Sequence, residues 1–183
     1  EQSLVQLSYY YLENNDWESA VKILTRLEQE ADSYQNIIFA QNNLMKGNYA
    51  LKKYEEAVAY AETVLQNEKL EVKIKSDAEI IIARSAFETQ EFAKAQEAFK
   101  RVEQSATGEL KAEAIYYDAY FKHDEGSYKL SNVAIQKLVL DFSSFSYWSG
   151  KGLVIMAKNF YELEDAYQAT YILESIINKF SDY

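Results

Sequence analysis

Few residues of this sequence are of the types that perform chemistry, and their spacing does not suit catalysis. His123 is the only histidine, and the sequence has no cysteine. Catalytic triads that need a histidine, multi-histidine metal sites, thiolate chemistry and disulfides are therefore excluded. We expect a protein that is not an enzyme and that holds neither a metal ion nor a cofactor.

Adjacent carboxylates are the remaining candidates for acid and base catalysis. They are Glu55 with Glu56, Asp124 with Glu125, and Glu164 with Asp165. All lie at predicted helix boundaries, where negative charge favours the amino terminus of the following helix, so we interpret them as capping or solvated groups. Asp118 is different because it falls at a core-type position among tyrosines. We expect a tyrosine hydroxyl to donate to its carboxylate; the alternative is a functional carboxylate facing a groove.

The composition predicts an all-α protein. The 183 residues include no proline and five glycines, which is too little turn punctuation for sandwiches, barrels or doubly wound sheets. The net charge of −10 has no basic region to oppose it, so nucleic acid is an unlikely partner, and no apolar run is long enough to be a transmembrane segment. Because the sequence begins at Glu1 without a methionine, we expect it to be a segment of a longer protein.

An internal repeat organises the whole sequence. Its anchor is a small residue, found at Ala20, Ala57, Ala95, Ser131 and Ala169, with intervals of 37, 38, 36 and 38 residues. Three residues before the anchor stand Trp17, Tyr54, Phe92, Tyr128 and Ala166, four of which are aromatic. Four and seven residues after it the sequence is apolar in nearly every repeat, and twelve before it stands a small residue in four of the five. This pattern predicts antiparallel helix pairs in which small residues permit close approach and the aromatic ring wedges against the first helix.

The same pattern, with helix start signals, divides the chain into ten helices. We predict them at about 3–14, 17–31, 34–52, 54–67, 71–88, 91–104, 109–123, 128–141, 146–162 and 166–179. Capping boxes are expected at Asp32 with Gln35, Ser76 with Glu79, and Asp165 with Gln168.

The small and aromatic residues at these positions resemble the tetratricopeptide repeat family over essentially all of the chain. The resemblance implies a right-handed superhelical solenoid of about five helical pairs, forming one domain over 1–183 with repeats of about 1–33, 34–70, 71–106, 107–143 and 144–183. The sequence departs from the family in its longer period, in the absence of the closing proline and in Asp118. The longer period and the carboxy-terminal repeat resemble large envelope-associated members of Bacteroidetes, which implies a periplasmic or outer-membrane-associated protein; the alternative is a cytoplasmic one.

In this family the first helices of successive pairs line a concave groove. The resemblance therefore implies a partner-binding groove lined by Tyr9, Asn43, Lys46, Tyr49, Arg84, Phe87, Tyr116, Tyr120, Lys158 and Tyr161. Aromatic rings with three cations suit an extended peptide of acidic or carboxamide character. The alternative is that the rings pack between helices. The carboxylate clamp known in the family is excluded, because only Asn43 matches its residue set and Asp77 replaces one of its lysines.

We therefore expect a non-enzymatic scaffold that binds a partner polypeptide in its concave groove, and that takes part in an envelope assembly. The alternative is a helical fragment of a nutrient- or glycan-binding envelope lipoprotein. Ile176, Ile177 and Phe180 have no helix after them to cover them. We expect either that the natural chain continues or that the carboxy-terminal helix pair associates with another copy.

Overall fold

The computed structural model describes residues 1–67 and 70–180, and this part of the chain contains ten α-helices. They are α1 (Gln2–Glu13), α2 (Trp17–Glu30), α3 (Tyr34–Ala50), α4 (Tyr54–Leu65), α5 (Val72–Glu88), α6 (Phe92–Ser105), α7 (Gly108–Asp124), α8 (Tyr128–Asp141), α9 (Ser146–Glu162) and α10 (Ala166–Phe180). The all-α prediction is confirmed, and every predicted boundary lies within two residues of the observed one. Consecutive helices form five pairs, numbered here pair 1 (α1 and α2) to pair 5 (α9 and α10).

The chain divides into two compact units. Unit 1 is Glu1–Ala98 and unit 2 is Phe99–Tyr183. The core of unit 1 is built from two clusters, one around Leu24 and Leu44 and the other around Met45, Ala61 and Ile81. The core of unit 2 is one cluster in which α7, α8 and α9 contribute aliphatic side chains and the indole of Trp148.

The repeat positions read from the sequence form the inside of the pairs. The anchor residues and the residues twelve before them are buried in all five pairs. In pair 4 the approach is close enough for the hydroxyl of Ser131 to donate to the backbone oxygen of Ala119 at 2.7 Å. Small residues are needed here because a larger side chain would hold the two helix backbones apart.

Each pair turns through a residue in the left-handed backbone region, five residues before the anchor. These residues are Asn15, Lys52, Gln90, Gly126 and Glu164, with φ between 55° and 76°. In each turn the next residue donates its N–H to a carbonyl five residues back, as Ser127 does to Lys122 at 2.8 Å. This is the Schellman ending of a helix, which satisfies carbonyls that the helix leaves unpaired. It explains how the chain reverses with so little glycine.

The capping predictions are confirmed only in part. Asp165 accepts from the N–H of Gln168 at 3.0 Å, as predicted, and Asp16 makes an equivalent cap at Ser19 that we did not expect. The other two predictions are wrong. Helix α3 begins after Ser33 and not after Asp32, and Ser76 lies buried inside α5, whose amino-terminal cap is Glu71. Burial of the Ser76 face against unit 1 outweighs its capping preference.

Candidate functional site

A ring contact within the pairs occupies three of the predicted groove positions. The residue eight before the anchor meets the aromatic residue three before it, with ring centroids 5.7 Å apart for Tyr49 and Tyr54 and 5.6 Å apart for Phe87 and Phe92. His123 and Tyr128 repeat this contact at 5.6 Å. The predicted wedge of the second helix against the first is confirmed. Tyr49 and Phe87 are therefore half-buried packing groups that present only part of each ring to a ligand.

Unit 1 places the other predicted residues of α1 and α3 close to one another. Tyr9 is half exposed and its ring centroid lies 5.0 Å from that of Phe39. The Asn43 amide donates to the backbone oxygen of Phe39 in its own helix at 2.8 Å. These contacts hold Tyr9 across α3 and leave Asn43 with its amide directed to the helix.

The cations of unit 1 are more committed than we expected. Lys46 of α3 donates to the carboxylate of Asp77 of α5 at 2.5 Å, and the Asp77 side chain is mostly buried. Lys46 therefore acts first as a link between two first helices, which corrects its prediction as a groove cation for a ligand carboxylate. Arg84 lies half-buried on α5 and also has an interaction partner.

In unit 2 an aromatic cluster surrounds Tyr116. Its ring lies 5.4 Å from Trp148 and 5.1 Å from Tyr117, and only 7% of the residue is exposed. The prediction that Tyr116 lines an open groove is thus wrong, because Trp148 of α9 packs against its ring. Burial raises the pKa of Tyr116 to about 12. Tyr120, one turn along, is half-buried with its ring centroid 5.6 Å from that of Phe121.

A lysine that the sequence reasoning missed completes this cluster. The ammonium of Lys151 lies 4.5 Å from the ring centroid of Tyr116, 5.1 Å from that of Trp148 and 5.3 Å from that of Tyr147. Three rings at these distances stabilise the cation through their negative faces. The Trp148 indole N–H is buried and has no hydrogen-bond partner.

Lys151 belongs to a regular stripe along α9, called here the α9 stripe. Its members are Tyr147, Lys151, Val154, Lys158 and Tyr161, spaced alternately four and three residues apart so that they share one face of the helix. Tyr147 is 61% exposed and Tyr161 is 73% exposed, and Lys158 is exposed between them. The stripe contains two cations and no carboxylate. The four-three spacing could have revealed Tyr147 and Lys151 in the sequence.

Tyr161 is exposed for an identifiable reason. In pairs 2, 3 and 4 the ring three residues before the anchor covers the side chain eight before it, but in pair 5 this position is Ala166. Tyr161 instead borders a cleft of about 340 Å³, whose lining includes His123 of α7, Lys158 of α9 and Leu173 of α10. The cleft has a tyrosine, a cation and an imidazole at its edge and an apolar floor.

A buried polar network positions His123 at this cleft. The Asn159 side chain, which is fully buried, accepts from His123 Nδ1 at 2.6 Å and donates to Ser131 Oγ and to Asn132 Oδ1, each at 2.8 Å. The network joins α7, α8 and α9 and fixes the imidazole. The carboxylate of Asp118 pairs with Lys122 at 2.5 Å, so the expected tyrosine hydroxyl is not its partner.

Metal chemistry finds no support in the part of the chain that the structure describes. No group of three or more histidine or carboxylate side chains in residues 1–67 and 70–180 is placed to hold a metal ion. Over the same residues, no helix is long and apolar enough to cross a membrane. The arrangement of rings and cations can bind a ligand, but it offers no acid and base pair around a common point.

The fold can be compared with that of solved structures. No family model matches the chain, and no curated protein matches it in sequence. The crystal structure of MamA protein matches with a TM-score of 0.73 at 13% identity, covering 97% of this chain and 90% of that one. Nearly identical TPR-like repeats of a kinesin light chain candidate from Podosopora anserina match with a TM-score of 0.68 at 15% identity, covering 96% and 92%.

A third structure carries the family name itself. It is a tetratricopeptide repeat protein from Parabacteroides merdae ATCC 43184, with a TM-score of 0.62 at 14% identity, covering 97% of this chain and 79% of that one. At such identities the likeness concerns the fold. It agrees with the five helix pairs, the buried small anchors and the aromatic wedge described above. This chain therefore has the fold of the tetratricopeptide repeat proteins.

Proposed function

We propose that this protein is a non-enzymatic interaction module that binds an acidic, extended segment of a partner polypeptide on the α9 stripe. The observation that supports the proposal most is the exposure of Tyr161 and Tyr147 on the same helix face as Lys151 and Lys158. Exposed tyrosines are frequent anchors of protein interfaces, because they bring a large apolar area at little cost in conformational entropy.

The charges of the stripe favour an acidic segment. The chain as a whole carries a net charge of −10, which repels acidic ligands at long range. On the stripe, however, Lys158 makes no ion pair with any described residue, and Lys151 is held by rings and not by a carboxylate. Both ammonium groups can therefore meet a ligand carboxylate without first breaking an ion pair.

Unit 1 supplies a weaker surface of the same kind. Its Tyr9 ring is half exposed, but Lys46 is neutralised by Asp77, and Tyr49 and Phe87 are partly covered by the rings of their own pairs. We therefore place the main contact in unit 2 and retain the unit 1 residues as an extension of it. Placement of the protein in an envelope assembly is part of the proposal, and the sequence resemblance supports it.

The proposal is tested with synthetic peptides of about eight residues, roughly 25 Å long when extended. An acidic set is compared with a set in which every Asp and Glu is replaced by the corresponding amide, and binding is measured by calorimetry at two salt concentrations. We expect the acidic set to bind more tightly and to lose affinity as salt rises.

Matched variants locate the binding surface. Tyr161→Ala should weaken binding of the acidic peptides at least tenfold, whereas Tyr171→Ala, which removes an exposed tyrosine from α10, should leave it unchanged. Equal effects of the two variants would contradict the proposal. Binding of glycans in place of peptides would favour the lipoprotein alternative, and turnover of a small substrate would refute the assignment as a non-enzyme.

A further inference from the structure

We propose that a second copy of this chain docks helix α1 on the exposed end formed by α9 and α10, head to tail, in the way that a first helix packs on the preceding pair within each unit. The inference concerns the two ends of the repeat and does not rest on the proposed function. It is argued from the repeat positions that face each other inside the units and from their exposed equivalents at the two ends.

The interfaces within the units define which positions meet. A Cβ added to Gly152 of α9 would lie 3.1 Å from Leu138 and 3.3 Å from Ile135 of α8, the residues seven and four after the anchor of pair 4. A Cβ added to Gly47 of α3 would lie 2.7 Å from Val21 and 3.6 Å from Trp17 of α2. A first helix thus docks by a small residue against two apolar side chains, and seven residues later by a second residue against the start of the second helix.

The receiving positions of pair 5 are uncovered. Leu173, four residues after the anchor, is 48% exposed, whereas its equivalents in the first four pairs, Leu24, Ala61, Phe99 and Ile135, are buried. The positions that receive the second contact are Ala166 and Thr170, and both are exposed. Each is a position that a following first helix covers in the interfaces described above.

Helix α1 carries the docking positions without a pair to dock on. Ser3 occupies the small position that holds Ala40 in α3, Ala78 in α5, Ala114 in α7 and Gly152 in α9. Leu7, four residues on, is 38% exposed, although Leu44 and Met156 at the same position are buried. Tyr10 stands at the position of Gly47 and is 61% exposed.

The sizes of the two ends are complementary. Where α3 docks on α2, the large side chains Trp17 and Val21 meet a glycine, Gly47. At the exposed ends the sizes are reversed: Ala166 and Thr170 are small, and Tyr10 is large. Pair 5 is the only repeat without an aromatic residue at this position, so the tyrosine of a second copy would fill space that Trp17 fills within pair 1.

Charge agrees with such a contact. None of the docking positions Ser3, Leu7 and Tyr10, and none of the receiving positions on α10, is ionisable as an acid or a base near neutral pH. The net charge of −10 therefore opposes association only at longer range, where salt screens it. Self-association should strengthen as salt rises, whereas binding of an acidic peptide to the α9 stripe should weaken. The failure of one proposal is thus distinguishable from the failure of the other.

The test is sedimentation of the full chain from about 10 μM to about 1 mM, the range in which small interfaces associate. The variants are Tyr10→Arg at the head, Leu173→Arg at the tail, and Tyr171→Arg as a matched control on an exposed face of α10 that no docking helix covers. Head and tail variants should each weaken self-association at least tenfold, and the control should behave as the unmodified chain.

Mixing the two end variants distinguishes a head-to-tail contact from a symmetric one. Each retains one intact end, so an equimolar mixture should form dimers that cannot grow further, because a heterologous contact joins unlike surfaces. If Tyr10→Arg still associates while Leu173→Arg does not, the contact is symmetric between two α9–α10 ends, and the proposal is overturned. A monomeric unmodified chain at every concentration and salt overturns it as well, and the exposed ends would then belong to another protein or to further repeats.

A second tail variant guards against loss of folding. Ala166→Trp places a large ring at the exposed first residue of α10, where it occupies the space proposed for Tyr10. It should weaken self-association as strongly as Leu173→Arg while leaving the circular dichroism spectrum unchanged. Undiminished association of a folded Ala166→Trp protein would overturn the proposal.

Discussion

Replacing Asn159 with alanine is expected to lower the free energy of unfolding by about 3 kcal/mol. The Asn159 side chain is fully buried and makes three hydrogen bonds, of 2.6, 2.8 and 2.8 Å. Water can replace the bond to half-exposed His123, but the carbonyl oxygen of the Asn132 side chain would lose its donor inside the protein. The two buried bonds contribute about 1 kcal/mol each, and the cavity left by the amide adds about 1 kcal/mol.

The measurement is urea denaturation followed by circular dichroism, with Asn178→Ala as the control because Asn178 is exposed on α10. The double variant with Ser131→Ala should be less destabilised than the sum of the two single variants by about 1 kcal/mol, because both remove the same hydrogen bond. If Asn159→Ala lies within about 0.5 kcal/mol of the control, the network does not stabilise unit 2 and our reasoning is refuted.

The same network predicts the tautomer of His123. Because the Asn159 amide donates to both Ser131 and Asn132, its oxygen is left to face His123 Nδ1. Neutral His123 must then carry its proton on Nδ1. As the only histidine of the chain, it gives a single set of imidazole ¹⁵N signals, and a spectrum of the Nε2-protonated form would contradict the assignment.

Three further predictions concern the backbone, the pH dependence and the groove rings. Gly126→Ala should lower the free energy of unfolding by about 1 kcal/mol, although open space surrounds the position, because its φ of 76° disfavours a side chain; Gln90→Gly should have the opposite sign. Tyr116 has its pKa raised to about 12 by burial, so the stability it contributes is complete below its unfolded pKa of about 10 and is lost as the pH rises through 12; in alkaline denaturation Tyr116→Phe should remove this loss. Phe87→Ala should destabilise the protein by about 2 kcal/mol and Tyr161→Ala by less than about 0.5 kcal/mol in thermal unfolding, because only the first ring packs against an aromatic partner.

The sequence predicted the pairs well because their packing is local and periodic. Small anchors such as Ala57 and Ser131 recur at a nearly constant interval, and each packs against a residue only twelve positions earlier in its own pair. The reversals between helices were not predicted. Of the five left-handed turn residues only Gly126 is a glycine, so four Schellman turns carry no glycine signal.

The candidate site was harder to predict because it depends on contacts between repeats. Tyr116 is buried by Trp148, and Lys46 is neutralised by Asp77, in each case about one repeat away along the chain. Position within a repeat says which face a residue occupies, but it does not say what the next helix places opposite it. The exposed members of the α9 stripe, Lys158 and Tyr161, were anticipated because no later pair in this sequence packs against α9. Whether they bind a partner remains a prediction.

Ala166 connects the two proposals. A ring at this position would lie against Tyr161, as Phe92 lies against Phe87 at 5.6 Å, and would also fill the space proposed for Tyr10 of a second copy. Ala166→Trp should therefore reduce acidic-peptide binding and self-association together, while Tyr10→Arg should reduce self-association alone. Calorimetry and sedimentation on the same preparations measure both effects. If a folded Ala166→Trp protein keeps its full affinity for the peptides, the exposure of Tyr161 is not what makes α9 a binding surface, because a covered tyrosine would then bind as well as an open one.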